Sequence, residues 1–336
     1  MTSKQRLNII TGARGQDGYF MAKSLKSSGE TVFAIENKNF KHHENLRDSL
    51  SKQNPYVDKY YFLDFDDEIE LTQFIDSIKP SVIYNFAGFS SVAKSFLHPQ
   101  DCFDINVIWF DRLLRAIRKS RIRDSLSVFQ CSSSEMYAKN LDSIDESTEL
   151  SPISPYGTSK SASHLLARTY RDIYGLTVHA GILFNHESER RPDSFVFKSA
   201  IKQAVECHLG LSNYISIQNI ETERDWGFAG DYVEAMRLIV ETGTSYEYVI
   251  ATGIKKSVRE VILVALSILG AEEKFEDLIQ IDPRGARDSD HKGSIGNIRK
   301  ISREFLWTPK TTFESLVERI VENELAKFGI FTRKYI

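Results

Sequence analysis

Tyr156 and Lys160 stand four residues apart in the run Tyr156-Gly157-Thr158-Ser159-Lys160. On a helix that spacing puts the phenol and the ammonium on one face. An ammonium beside a phenol favours the phenolate. A tyrosine so placed can take a proton from a sugar hydroxyl while hydride leaves for a nicotinamide. A second feature lies near the N-terminus, where Thr11-Gly12-Ala13-Arg14-Gly15-Gln16-Asp17-Gly18 follows the apolar run Leu7 to Ile10 and precedes a helical stretch. Glycines at such a turn let the backbone approach a pyrophosphate, and the helix N-terminus favours its negative charge. The spacing is G-x-x-G-x-x-G and not G-x-G-x-x-G, so its place at the first strand-to-helix junction carries the reading.

These groups need a scaffold, and the first half of the chain supplies one. Leu7 to Ile10, Thr31 to Ile35, Tyr60 to Leu63, Ser81 to Phe86 and Leu126 to Gln130 are short apolar runs separated by helical stretches, the longest being Asp101 to Lys119. That alternation predicts βαβ units and a parallel sheet covered on both faces. A helix is expected from Tyr156 to about Tyr174, and a buried strand over Val178 to Phe184. The Cys131-Ser132-Ser133-Ser134-Glu135-Met136-Tyr137 run ends the fifth strand, at the sheet edge where ligands bind. Beyond Asn185 the alternation loosens, with loop-rich stretches at Glu187 to Ser194 and Asp282 to Asn297. Glu36 to Tyr56 reads as a long exposed loop with one helix at most. The expected architecture is α/β: a Rossmann-type doubly wound parallel sheet over 1–184, with parts returning from about 221–254. A smaller C-terminal α/β substrate domain is expected over most of 185–336.

The cofactor is left open at this level. Glu36, at the end of the second strand, stands where an acid commonly takes the ribose hydroxyls, which argues for NAD. Arg14, Lys38 and Lys41 would attract a 2′-phosphate, which argues for NADP. Asp64, ending the third run, is placed for the adenine.

A net charge of -3 over 336 residues gives no electrostatic case for nucleic acid. Cys102, Cys131 and Cys207 are scattered and lack metal-ligand spacing, so no zinc site or disulfide framework is expected. Neither a secretory signal nor a membrane-crossing run is read from the sequence. The expectation is a cytoplasmic enzyme with no membrane partner.

Further motifs sharpen the picture. They are Gly15-Gln16-Asp17-Gly18, Ser133-Ser134-Glu135-Met136-Tyr137, Gly181-Ile182-Leu183-Phe184-Asn185-His186-Glu187-Ser188 with Arg190-Arg191, Arg224-Asp225-Trp226-Gly227 leading to Asp231-Tyr232-Val233, and Ala251-Thr252-Gly253 with Ser257-Val258-Arg259-Glu260. Together they resemble the GDP-mannose 4,6-dehydratase family, within the extended short-chain dehydrogenase/reductase superfamily, over nearly the whole chain.

The resemblance implies a GDP-hexose substrate and a bound NADP, with NAD as the alternative. It makes Tyr156 the base at the 4-hydroxyl and Lys160 the group that holds the ribose. Ser133, where the family has Thr, would bond the C4 oxygen, and Glu135 would remove the C5 proton and help expel the C6 hydroxyl. Cofactor contacts would come from Gly12, Arg14, Gly15, Gln16, Asp17, Gly18, Glu36, Asp64, Phe65, Phe86, Ala87, Ser90, His186 and Arg191. Ser90 and Ser133 would also face the substrate, and Asn185, Val196, Lys198, Arg224, Arg287 and Asp290 would hold its nucleotide half. No metal is implied. A homodimer or homotetramer is implied, packing the helix of Tyr156 and the long helix before it through Leu165, Leu166, Ala167, Ile108, Trp109 and Phe110.

The chain departs from the family in three places. Glu36-Asn37-Lys38 replaces a pair of arginines and an Arg-Ile-Asp/Glu-His-type loop used for NADP and tetramer contacts. Phe89-Ser90-Ser91 replaces Gln-Ser-His, and Asp290 replaces Glu. These leave room for another GDP-sugar, such as a GDP-heptose. A nucleotide-sugar epimerase or 4-keto reductase on the same scaffold is the rival reading, and a non-catalytic dinucleotide-binding regulator is a third.

Overall fold

The computed structural model describes residues 6–38, 53–138, 141–242, 246–282 and 293–331. In chain order the elements are β1 (Leu7–Thr11), α1 (Gln16–Ser27), β2 (Thr31–Asn37), β3 (Lys59–Leu63), α2 (Glu68–Ile78), β4 (Val82–Asn85), α3 (Val92–Leu97), α4 (Pro99–Phe103), α5 (Trp109–Lys119), β5 (Ser127–Ser133), α6 (Pro155–Asp172) and β6 (Thr177–Leu183). After these come β7 (Asn185–Glu187), α7 (Val196–His208), β8 (Ile215–Ile217), β9 (Glu223–Phe228), α8 (Ala229–Thr242), β10 (Glu247–Ile250), β11 (Lys255–Ser257), α9 (Val258–Ile268), α10 (Phe275–Leu278), β12 (Ile279–Ile281), α11 (Arg299–Phe305) and α12 (Phe313–Ala326). A single π-helical turn, Asp104–Ile108, joins α4 to α5.

The chain divides into two compact units. The first comprises 1–138, 145–183 and 233–250; the second comprises 139–144, 184–232 and 251–336.

In the first unit seven strands form one parallel sheet, in the order β10-β6-β5-β4-β1-β2-β3. The chain reverses direction across the sheet between β1 and β4, and the crevice at such a switch point is where ligands bind in doubly wound folds. β5 and β6 are buried at every position after the first, as expected of strands covered on both faces. One face is closed by Leu71 and Ile75 of α2, Leu113, Leu114 and Ile117 of α5, and Ala167 and Tyr170 of α6. These pack on Ile9, Ile35, Ile83, Val128 and Val178. Phe110 and Ala167, expected at a subunit interface, belong to this core, whereas Ile108 and Leu165 stay exposed.

The second unit is built differently. β7 runs parallel to β9, and β9 pairs antiparallel with β11. β8 and β12 form a separate parallel pair. Its core joins Phe197 and Ile201 of α7, Trp226 of β9, Val261 and Leu266 of α9, and Val317 and Ile320 of α12. A capping box starts α9: the Ser257 hydroxyl accepts from the Glu260 amide, and the Glu260 carboxylate accepts from the Ser257 amide.

Leu306, which ends α11, has φ +53° and is 89% exposed. A leucine there carries left-handed strain and buries nothing in return. Leu306→Gly is expected to stabilise the protein by about 0.5–1 kcal/mol, after the entropy that glycine adds to the unfolded chain is subtracted. Thermal melting of the two proteins checks this.

Candidate active site

The glycine turn folds so tightly that it excludes side chains. Gly12 has φ +65°, and a Cβ there would meet the Ala87 amide nitrogen at 2.7 Å. At Gly18 a Cβ would meet the Gly12 carbonyl oxygen at 2.4 Å. Gly15 is the N-cap of α1 and brings no side-chain acceptor to the first turn of that helix. A Cβ-free backbone leading into a helix N-terminus is a fitting cradle for the pyrophosphate of a dinucleotide.

A residue not singled out in the sequence braces this turn. Asn54 is buried, and its amide donates to the carbonyls of Ala13 at 2.8 Å and Gly18 at 3.2 Å. It sits in a polar stretch with no periodicity to mark it.

Around the turn, Arg14 Nε lies 2.6 Å from Glu36 Oε1 and its guanidinium covers the Tyr60 ring. Lys38 bonds Glu70 at 3.1 Å and lies 3.6 Å from Asp64. Lys41 lies outside the described residues. Phe65 is buried against Trp109. Phe86 and Ala87 follow β4 directly, and the Ala87 amide donates to the Thr11 hydroxyl. Thr11, Asn85 and Gln130 form a hydrogen-bonded chain across β1, β4 and β5, with links of 2.7 Å each.

Tyr156 and Lys160 lie in the first turns of α6. Ser154 caps that helix by accepting from the Gly157 amide at 3.0 Å, and Pro155 presets its first residue. The Tyr156 amide donates to the Ser95 hydroxyl of α3. Lys160 is buried, with Nζ 5.9 Å from the centre of the Tyr156 ring and 3.0 Å from the Cys131 carbonyl.

Ser133 ends β5, and its hydroxyl accepts from the Glu135 amide at 3.2 Å. Glu135 sits in the single 3-10 turn Ser134–Met136 that follows. Gly157 is what lets α6 approach this turn, since a Cβ there would meet the Glu135 carbonyl oxygen at 2.2 Å. Ser133, Glu135, Tyr156 and Lys160 are thus brought together at the carboxyl end of β5.

Asn106 also escaped the sequence reading. It sits on the π-helical turn, accepts from the Phe89 amide, and donates to the Phe89 carbonyl and to Ser159 Oγ at 2.9 Å. It fixes the loop after β4 to the helix of Tyr156. Phe89 is buried with Cys102 and Ile105, beside Trp109 and Tyr156. Ser91 caps α3, and Ser90 is exposed.

In the second unit Asn185 and Arg224 stand on the neighbouring strands β7 and β9, with Asn185 opposite Trp226. Arg224 Nη1 donates to the Glu223 carbonyl at 2.7 Å. His186 is buried, stacks on Tyr232 and has Nδ1 2.8 Å from the Phe184 carbonyl. That contact puts a proton on Nδ1. Arg191 pairs with the buried Glu187 at 3.2 Å and covers the Phe195 ring.

Asp225 gathers the Thr252 and Gly253 amides, the Thr252 hydroxyl and the Gly296 amide. Burial pushes its carboxyl up from the ordinary value, and these hydrogen bonds oppose the rise. Val196 is exposed at the start of α7, whereas Lys198 points inward to an ion pair with Glu324 and a bond to the Glu189 carbonyl. Burial pushes the Lys198 ammonium down despite that partner. Arg287 and Asp290 lie outside the described residues. Among the described residues no group of three or more His, Cys, Asp or Glu is placed to hold a metal, and no helix is long and apolar enough to cross a membrane.

A family model described as GDP-mannose 4,6 dehydratase matches residues 9–320. The chain belongs to the GDP-mannose 4,6-dehydratase family. It is 34% identical over 327 residues to GDP-mannose 4,6 dehydratase 1 of Arabidopsis thaliana, covering 96% of this chain and 90% of the relative. Among solved structures it is similar to dTDP-glucose 4,6-dehydratase of Bacillus anthracis in complex with NAD. There the TM-score is 0.79 at 23% identity, covering 97% of this chain and 98% of the other. It is also similar to RMD of Pseudomonas aeruginosa complexed with NADPH, with TM-score 0.74 at 21% identity, covering 96% and 100%. At those identities the two structures speak for the fold.

Proposed function

We propose that this chain is a nucleotide-sugar 4,6-dehydratase that converts a GDP-hexose, with GDP-mannose the first candidate, into a GDP-4-keto-6-deoxy-hexose. Glu135 carries the reading. It is an acid on the turn after Ser133, with its carbonyl against Gly157 in the helix of Tyr156 and Lys160. A 4-epimerase or 4-keto reductase needs the tyrosine, the lysine and the hydroxyl, whereas an elimination needs a further acid/base as well. Family membership supports the same choice.

The glycine turn would hold the pyrophosphate of a nicotinamide dinucleotide, which when bound would supply hydride acceptance from C4 and its return to C6. Tyr156 takes the proton of the 4-hydroxyl. Lys160 places positive charge beside the phenol and holds ribose hydroxyls. Ser133 hydrogen-bonds the C4 oxygen. Once C4 is a carbonyl, the C5 proton is acidic. Glu135 removes that proton and delivers one to the C6 oxygen as the C6–O bond breaks, so water leaves. As hydride returns to C6, C5 regains a proton from solvent and Tyr156 releases to solvent the one it took, so the overall change is loss of one water with no net oxidation. Asn185 and Arg224 are assigned to the diphosphate, which suits the planar donors of an arginine. Incubation with GDP-mannose is expected to give a product lighter by one water without net consumption of NAD(P)H. Recovery of unchanged GDP-mannose from cofactor-loaded protein would contradict that substrate.

For the cofactor we infer a preference for NAD. Arg14 is held by Glu36, and Lys38 by Glu70 and Asp64, so two of the cations suited to a 2′-phosphate already face carboxylates. A phosphate brought beside Glu36 adds like-charge repulsion. NAD is expected to bind about tenfold more tightly than NADP, and Glu36→Gln to reverse or erase that ratio, on the usual scale of one charged contact. Titration of the two cofactors by calorimetry checks it. Exposed Ile108 and Leu165 support a homodimer formed through α5 and α6.

A further inference from the structure

Beneath the Tyr156 helix lies a buried polar group that the reaction does not use. His164 of α6 is fully buried, with Nδ1 2.7 Å from the hydroxyl of buried Ser132. Its other nitrogen, Nε2, lies 3.6 Å from Glu247 of β10, an ion-pair distance longer than a hydrogen bond. A carboxylate only accepts, so the ring proton belongs on Nε2, and Nδ1 accepts from the Ser132 hydroxyl. Arg168 grips Glu247 through two hydrogen bonds, at 2.8 and 2.7 Å, and Arg171 adds a third at 3.0 Å. Burial pushes the Glu247 carboxyl up, but the hydrogen bonds and charge of Arg168, with the His164 ring facing it, more than offset that and hold it well below the usual carboxylate range.

Ser132, His164 and Glu247 have the residue types of a hydrolytic triad. Ser132 and His164 are buried, however, and Ser132 faces α6, so no substrate reaches the hydroxyl. Their positions point to another use. Tyr156, Lys160, His164 and Arg168 follow one another at intervals of four and so line one stripe of α6. Three successive residues of β5 answer that stripe: the Cys131 carbonyl accepts from Lys160, Ser132 bonds His164, and Ser133 belongs to the proposed site. A slide or rotation of α6 that moved Tyr156 relative to Ser133 would break the His164 bond and strand a buried polar ring, which is costly.

We propose that His164 is a positioning residue: bonded to Ser132 and braced by Glu247, it fixes the height of α6 on β5 and so sets Tyr156 and Lys160 against Ser133. The proposal rests on the assignment of Tyr156 and Lys160 to the chemistry.

The test compares His164→Leu, His164→Gln, Ser132→Ala and the double variant Ser132→Ala/His164→Leu as cofactor-loaded full-length proteins. Displacing reacting groups by about 1 Å costs up to about 100-fold in rate. His164→Leu is therefore expected to lower kcat about 10- to 100-fold with KM for the nucleotide-sugar unchanged. His164→Gln keeps an acceptor for Ser132 and is expected to restore most of kcat. The double variant is expected to be no slower than the worse single variant, because one bond is lost in each case.

NADH binding, followed by its fluorescence, gives a readout free of turnover. His164→Leu is expected to weaken it through Lys160, and His164→Gln to restore it. Wild-type kcat in a folded His164→Leu protein, or losses that multiply in the double variant, would overturn the proposal. If the wild type binds NADH but converts no nucleotide-sugar, the dehydratase reading fails alone, and unchanged NADH affinity in His164→Leu then overturns this one. Should His164→Leu fail to fold, Ser132→Ala against the wild type decides by the same two readouts.

Discussion

Glu135→Gln is expected to stop the release of water while leaving the first oxidation in place. The glutamine keeps the size of the side chain and the backbone hydrogen bond to Ser133, so the turn at the end of β5 survives. It cannot take the C5 proton or hand one to the leaving oxygen. With GDP-mannose in deuterated water, the variant should build up substrate oxidised at C4, seen as the absorbance of the reduced dinucleotide, without deuterium entering at C5. Tyr156→Phe should block the earlier step. It leaves no base at the 4-hydroxyl, and loss of a positioned proton acceptor typically costs about 10²–10⁴-fold. In that variant neither the reduced dinucleotide nor the dehydrated product appears. The contrast between the two separates their roles. Wild-type dehydration by Glu135→Gln would make Glu135 a bystander and assign the C5 proton and the leaving oxygen to another acid/base.

The largest effect on stability is expected in the second unit. Lys198 and Glu324 are 1% and 2% exposed and tie α7 to α12, with the Glu189 carbonyl accepting a further bond from the lysine. Glu324→Leu leaves a buried ammonium with only a carbonyl for a partner, and breaking such a pair costs about 3–5 kcal/mol. Lys198→Met should cost less, because Lys327 also binds Glu324, at 2.8 and 2.6 Å, from the solvent side. The combined change Lys198→Met/Glu324→Leu should recover much of the loss, since replacing both charges by well-packed apolar groups is often close to neutral. Urea unfolding curves for the three variants test the order. Equal stability of Glu324→Leu and wild type would mean that water or another group compensates Lys198.

Much of the candidate site was legible in the chain because its signals are local. Tyr156 and Lys160 share a helix face by spacing alone, and the glycine turn is flanked by the strand and helix it needs. β1, β4, β5 and β6 declared themselves as apolar runs because a parallel sheet is buried on both faces. What stayed hidden depends on partners far along the sequence. Asn54 looks like any loop asparagine until the carbonyls of Ala13 and Gly18 are beside it. Asn106 sits where a π-helical turn interrupts a helix whose residues follow the ordinary period, and no pattern announces that extra residue. Gly157 reads as part of the Tyr-x-x-x-Lys spacer, yet it sets how closely the helix meets the Glu135 turn. Lys198 reads as a cation for a ligand, and only the fold reveals Glu324 opposite it. The Glu36 region was legible as a conflict, and the Arg14 contact gives it a physical form.

The central claim, that one carbon's hydrogen is moved within the substrate as water leaves, has a direct measurement. GDP-mannose carrying deuterium at C4 is incubated with the purified protein, and the product is examined by mass spectrometry and proton NMR. The account predicts a product lighter by one water, with the deuterium now on the C6 methyl group. A product of unchanged mass, or a dehydrated product whose label has been lost or remains at C4, would contradict it.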